Sequence, residues 1–139
     1  EQIAKVPVEV DLASEFRYRN PLIKKDDLCI VITQSGETAD TLAAQRQAKS
    51  LGAKVLSICN VLGATSAREA DAVFYTHSGP EIGVASTKAF TSQLVSLYMF
   101  SILLANEKEI LEKEKRILLI QYLLKLPDKI ESILKEASK

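Results

Sequence analysis

The chain has 139 residues, 47% of them hydrophobic, and 18 Lys plus Arg balance 18 Asp plus Glu to give no net charge. That length and apolar share suit one globular domain with a real core. The charge balance argues against nucleic acid as the main partner, because a phosphate backbone needs a basic face, and it supplies no polybasic membrane anchor.

In chain order, the opening EQIAKVPVEV shows no signal-peptide pattern. It has no initiator Met and starts in mid-pattern, so the chain is expected to be cut from a longer protein. Val6–Val10 is short and β-branched and reads as a strand. Ala13–Arg19 suits about two helical turns, stopped by Asn20-Pro21. LCIVIT, Leu28–Thr33, is a strand with nearly every residue apolar. Thr38–Leu51 is helical and stops at Gly52. KVLSIC, Lys54–Cys59, is another buried strand. Ser66–Ala70 predicts a short helix with Ser66 as N-cap and Glu69 three residues later, the capping-box spacing. Ala72–Thr76 is a strand and Ser86–Asn106 a long helix.

The composition then changes to EKEILEKEKR at residues 107–116, followed by amphipathic stretches at Ile117–Leu126 and Asp128–Ala137 on either side of Pro127. Their charges read as solvated helix faces. The richest apolar run, Leu94–Ala105, falls short of the roughly 20 residues a membrane span needs. Cys29 and Cys59 lie inside apolar strands without a CxxC or Cys/His cluster, and they read as small buried hydrophobes in a reducing, cytoplasmic setting.

Strands that are apolar on both faces and alternate with helices mark a parallel sheet covered on both sides. The expected class is α/β, a three-layer αβα doubly wound parallel sheet with a helical C-terminal tail. In such sheets ligands bind beyond the carboxyl ends of the strands. Three stretches stand there: TQSGET (Thr33–Thr38), Asn60–Ser66 and His77–Ser86.

TQSGET is the richest of the three. A helix N-terminus carries about half a positive charge and free N–H groups, which suits an anion. Thr33, Ser35 and Thr38 add hydroxyls, Gln34 an amide, and Gly36 lets backbone approach closely or take positive φ. A cap and tight turn would also use Thr38 and Gly36, and Thr38 is expected to cap the helix in either case. Hydroxyl and amide side chains at Thr33, Gln34, Ser35 and Thr38 exceed what a cap needs, which favours a ligand such as a phosphate monoester. The corner has neither GxxxxGK nor GxGxxG, which disfavours a nucleoside triphosphate or a dinucleotide.

SGPEIGVASTKAF, residues 78–90, is the second candidate. Gly79, Pro80 and Gly83 predict an irregular loop, with Ser86 or Thr87 as the cap of the helix that follows. Lys88 then falls in the first turn, where a cation is unfavourable by some tenths of a kcal/mol unless it meets an anion or a carboxylate such as Glu81. A solvated Lys above a capped helix explains the pattern equally well. His77, the single histidine, lacks a paired carboxylate motif and reads as structural.

Taken together, PVEVDLASEFRYRNP, TQSGETADTL, SICNV and SAREADAVFYTHSGPEIGVASTKAFTSQL resemble the first of two sugar isomerase (SIS) domains in the glutamine–fructose-6-phosphate aminotransferase (glucosamine-6-phosphate synthase) family. The resemblance implies an SIS, flavodoxin-like sheet at residues 1–106 that lacks its first strand. Residues 107–139 would then be a helical tail linking to a second SIS domain. It implies a hexose phosphate, fructose 6-phosphate or glucosamine 6-phosphate, as ligand. Thr33, Gln34, Ser35 and Thr38 would hold the phosphate, and Val84 and Ser86 would contact the sugar. Gly36, Glu81 and Lys88 are further candidates.

The family's carboxylate base, ring-opening His and imine-forming Lys are not matched in this chain, so no catalytic residue, metal or cofactor is expected. A second SIS domain, a glutaminase domain and a homodimeric mate are the implied partners. The alternatives are a non-catalytic phosphosugar-sensing SIS domain of a regulator and a flavodoxin-like electron carrier. Without a first strand, the sheet is expected to show four parallel strands, Val6–Val10 among them.

Overall fold

The computed structural model describes residues 1–83 and 86–137. Its secondary structure runs α1 (Ala13–Phe16), β1 (Leu28–Thr33), α2 (Ala39–Ser50), β2 (Lys54–Cys59), α3 (Thr65–Glu69), β3 (Ala72–Tyr75), α4 (Lys88–Glu107), α5 (Lys113–Leu124) and α6 (Leu126–Ala137). The chain divides into two compact units, Glu9–Ser96 and a second built from Glu1–Val8 with Leu97–Lys139.

The first unit holds the sheet, whose order is β1-β2-β3 with both pairs parallel. Leu28–Thr33 lies in register with Lys54–Cys59. From Val55 to Cys59 every residue of β2 is buried, so the central strand is covered on both faces. A two-sided apolar strand needs a neighbour on each edge and cover above and below, which is why it reads as a continuous apolar run. On one face Val31, Val55, Ala53 and Ala48 form a core against which Phe16 of α1, Ile23, Cys29 and Ala70 pack. On the other face β1 is open: Leu28 and Ile32 are 48% and 43% exposed.

The expected strand at Val6–Val10 does not form, so the sheet has three strands among the described residues and not four. β-branching favours a pleated, half-buried surface but does not create one. Val8 and Val10 are 54% and 90% exposed, and Pro7 has no N–H to give to a ladder. The short helix expected to continue to Arg19 ends at Phe16. Cys59 is buried as expected, while Cys29 is only partly so; both are free thiols.

Three polar residues occupy the core. Gln45, Ser57 and Ser66 are fully buried. The Gln45 Nε2 donates to the Ser66 carbonyl at 2.9 Å, the Ser66 hydroxyl to Gln45 Oε1 at 2.8 Å, and Ser57 Oγ lies 2.8 Å from Ser66 Oγ. This corrects the reading of Ser66 as an N-cap. α3 begins at Thr65 with Ala64 at its cap position, and the Ser66 hydroxyl turns inward to Gln45.

In the second unit α5 begins at Lys113, earlier than the apolar pattern suggested. α6 begins at Leu126 and so takes Pro127 into its first turn, where a missing N–H is harmless. α4, 20 residues long, is apolar enough by length and composition to cross a membrane, which corrects the expectation that no segment reaches that length. Ala89, Ser96, Ile102 and Ala105 are buried along it, while Phe90, Leu94, Met99 and Leu103 are about half exposed.

Replacing Gln45 with Leu leaves the Ser66 carbonyl without its side-chain donor inside the core, while the Ser66 hydroxyl keeps only Ser57. The expected loss is about 1–3 kcal/mol, the usual penalty for an unpaired buried polar group. Urea unfolding of wild type and Gln45→Leu measures it, and an unchanged midpoint would show that the network carries no stability.

Candidate functional site

The corner after β1 is built by short-range hydrogen bonds. Thr33, 6% exposed, accepts the Gly36 N–H on its hydroxyl oxygen at 3.0 Å. Ser35 accepts the Glu37 N–H in the same way at 3.2 Å. Because each oxygen accepts, each hydroxyl keeps its own hydrogen to donate. The Gln34 carbonyl takes the Asn60 N–H at 3.3 Å, while its side-chain amide has no partner among the described residues. Thr38 occupies the cap position of α2, but its hydroxyl makes no cap bond, contrary to expectation. Its carbonyl accepts the first intrahelical bond, from Leu42, so the N–H groups of Ala39, Asp40 and Thr41 have no acceptor within the helix.

Gly36 is where the corner meets its neighbour. Its φ is +72°, and a Cβ there would lie 2.4 Å from the Ala64 Cβ and 2.9 Å from the Cys59 sulfur. Only glycine permits that approach. The Gly36 carbonyl accepts the Ser66 N–H at 3.0 Å, and the Glu37 carboxylate accepts the Thr65 N–H at 2.7 Å. The first loop is thus fastened to the start of α3 from both sides. The Thr65 backbone bond holds the Glu37 carboxyl below its ordinary value of 4.5.

The third loop is organised by Asn60 and Glu81. Asn60 bonds Thr76, Ser78 and Gly79. Glu81 accepts the Ala89 N–H at 3.1 Å and the Thr87 hydroxyl at 2.9 Å, so it caps α4, which begins at Lys88. The Ala89 N–H is the main reason its carboxyl lies below the ordinary range; Lys88 adds only a smaller, purely electrostatic share. Glu81 therefore serves the helix start and forms no ion pair with Lys88 among the described residues. Thr87, one of the two expected cap residues, stands just before α4 with its carbonyl accepting the Thr91 N–H, and its hydroxyl donates to this carboxylate. Ser86 and Lys88 are exposed, and Val84 lies outside the described residues.

The structure thus brings Thr33, Gln34, Ser35, Gly36 and Thr38 together at the N-terminus of α2, with Asn60 joining them to residues 76–79. In the sequence alone Asn60 and Gln45 have no role of their own, and Ser66 reads as a helix cap. The signal for Asn60 was its place at the carboxyl end of β2. A cavity of about 540 Å³ in the second unit, lined by Gln2, Ile3, Lys5, Tyr98, Ile110 and Lys115 among others, shares no residue with this corner. No group of His, Cys, Asp or Glu suited to a metal ion occurs among the described residues.

A family model for the SIS domain matches residues 1–103. The chain belongs to the SIS domain family. Its SIS sheet is similar to the C-terminal domain of glucosamine-fructose-6-phosphate aminotransferase from Francisella tularensis, with TM-score 0.82 and 43% identity over 91% of this chain and 35% of that one. A putative phosphosugar isomerase from Clostridium difficile 630 matches at TM-score 0.73 and 25% identity, over 78% of this chain and 31% of that one.

Among curated relatives, the SIS chain is 56% identical to the glutamine–fructose-6-phosphate aminotransferase (isomerizing) of Clostridium tetani over 134 residues, 96% of this chain and 22% of the relative. It is 52% identical to that of Clostridium acetobutylicum over 139 residues, all of this chain and 23% of the relative. The chain therefore spans under a quarter of the length of the relatives it matches.

The Glu37 bond to Thr65 carries a pH signature. A carboxyl held below its ordinary value stabilises the fold above that value, and the contribution is lost as pH falls through the lowered one. Glu37→Gln should be less stable than wild type near neutrality, and the difference should shrink on acidification from about pH 6 to about pH 3. Denaturant unfolding across that range checks it; a difference independent of pH would remove Glu37 from the account.

Proposed function

We propose that this chain is the sugar-phosphate-binding part of an isomerase domain that acts in glutamine-dependent synthesis of glucosamine 6-phosphate from fructose 6-phosphate. The observation that carries the reading is the set of uncommitted donors at the corner: the hydroxyl hydrogens of Thr33, Ser35 and Thr38, the Gln34 amide, and the first N–H groups of α2. All are neutral. Several neutral donors converging at the positive end of a helix match one phosphate dianion. The names of the relatives, glutamine–fructose-6-phosphate aminotransferases, point to fructose 6-phosphate as that phosphate's carrier. Val84 and Ser86, in the loop before α4, are assigned to the sugar. Gly36 shapes the corner and Glu81 the start of α4, and Lys88 stands in its first turn.

Residues 1–106 are assigned to the binding domain and 107–139 to a helical link toward a second SIS domain. The open face of β1 at Leu28 and Ile32 supports contact with further parts of a longer chain or with a homodimeric mate. A glutaminase domain in the same chain, which the relatives' names and greater length favour, would supply the nitrogen. A cytoplasmic location fits the free thiols.

Isomerising a ketose phosphate moves a proton between C1 and C2, and that needs a base within hydrogen-bond reach. The two carboxylates of these loops are already engaged, Glu37 by Thr65 and Glu81 by the start of α4. The chain alone should therefore bind without turnover. A hydroxyl bond to a charged phosphate is worth roughly 1.5–3 kcal/mol, so Ser35→Ala should weaken fructose 6-phosphate binding by about ten-fold or more. Calorimetric titration, with free fructose as the control, checks this; equal response to fructose and fructose 6-phosphate contradicts the reading. Conversion of fructose 6-phosphate to glucose 6-phosphate by the 139-residue chain, abolished in Lys88→Ala or Glu81→Ala, would move the chemistry into the second loop.

A further inference from the structure

Asn60 stands where β2 leaves the sheet, and its side chain takes no part in the phosphate corner. Its Oδ1 accepts the Ser78 N–H at 2.8 Å and the Thr76 hydroxyl at 3.0 Å, and its Nδ2 donates to the Gly79 carbonyl at 2.8 Å. A backbone N–H can only donate and a carbonyl can only accept, so these partners fix the orientation of the amide. The backbone of the same residue donates to the Gln34 carbonyl, one residue before Ser35. Asn60 therefore touches the corner with its main chain and the third loop with its side chain.

Among the described residues, no other side chain from outside the segment 76–79 hydrogen-bonds it. The clamp holds Thr76, Ser78 and Gly79 and skips His77, whose φ is +50°. A bulky residue in the left-handed region is uncommon and persists where its neighbours over-determine the backbone. Beyond the clamp, residues 80–83 form no regular structure, and the Glu81 carboxylate bonds Thr87 and Ala89 at the start of α4. The described part of this loop is thus held at two points, Thr76–Gly79 by Asn60 and Glu81 by its bonds to Thr87 and Ala89.

We propose that Asn60 is a positioning residue for the sugar: it fixes Thr76, Ser78 and Gly79, where the third loop begins, relative to the phosphate corner and so lets the site distinguish a hexose phosphate from bare phosphate. This role rests on the phosphosugar reading above. The bonds that shape the corner, Gly36 to Thr33, Glu37 to Ser35 and Ser66 to Gly36, do not involve the Asn60 side chain. Removing that side chain loosens the sugar loop and leaves the anion donors in place. A residue that only stabilised the fold would affect both ligands alike.

The test compares inorganic phosphate and fructose 6-phosphate as ligands of the full 139-residue chain in wild type, Asn60→Ala, Asn60→Asp and Ser35→Ala. Asn60→Ala should lose about ten-fold in fructose 6-phosphate affinity while its inorganic phosphate affinity stays within about two-fold. Ser35→Ala should lose on both. Asn60→Asp keeps the acceptor for Ser78 and Thr76 but adds a charge that weakens every anion. Its ratio of fructose 6-phosphate to phosphate affinity should fall between wild type and Asn60→Ala, and this ratio carries the test if the alanine variant does not fold.

In the amide spectrum of unliganded Asn60→Ala, the Ser78 signal should move while those of Ser35–Glu37 stay. Equal losses for both ligands, an unchanged ratio in Asn60→Ala or Asn60→Asp, or an unmoved Ser78 amide overturns the inference and leaves phosphosugar binding standing. A wild type that binds neither ligand overturns the phosphosugar reading, and the role of Asn60 with it.

Discussion

The close approach of Gly36 to the β2–α3 turn is the constraint on which the site depends. With φ at +72° and no room for a Cβ against Ala64 and Cys59, only glycine lets the first loop sit this close to the second. Once seated, its carbonyl takes the Ser66 N–H, and Ser66 is in turn held from below by Gln45 and Ser57. The corner therefore rests on a fully satisfied buried polar network and not on a loose surface turn. Such networks rigidify because any displacement leaves a buried group unpaired.

The carboxylates of the loops are used to start helices. Glu37 takes an N–H of α3 and Glu81 an N–H of α4, where the helix dipole favours negative charge. The N-terminus of α2 differs, because Thr38 leaves its cap bond unmade. Asp40 in its first turn is paired with Arg17 at 2.7 Å. Among the described helix starts at this end of the sheet, α3 and α4 receive a loop carboxylate and α2 does not.

Much of this was legible in the residues. LCIVIT and KVLSIC read as two-sided strands because burial on both faces leaves no polar alternation, and they form β1 and β2. The corner was legible because it joins hydroxyls, an amide and a glycine at a strand-to-helix change. Other features were set by tertiary partners that a linear pattern does not carry. Val6–Val10 has strand composition but no ladder to join. Ser66 and Glu69 have capping-box spacing, yet the hydroxyl serves Gln45, 21 residues away in sequence. Asn60 is a single polar residue after a strand, and only the return of β3 beside β2 supplies its partners.

The central claim is that an anion seats on the N-terminus of α2. Mapping backbone amide shifts during titration with fructose 6-phosphate tests it most directly. The account predicts the largest shifts at Gln34–Thr41, with a second group at Ser78 and beyond. Largest shifts at Gln2–Lys5 and Lys115, the cavity of the second unit, or no saturable shifts at all, would contradict it.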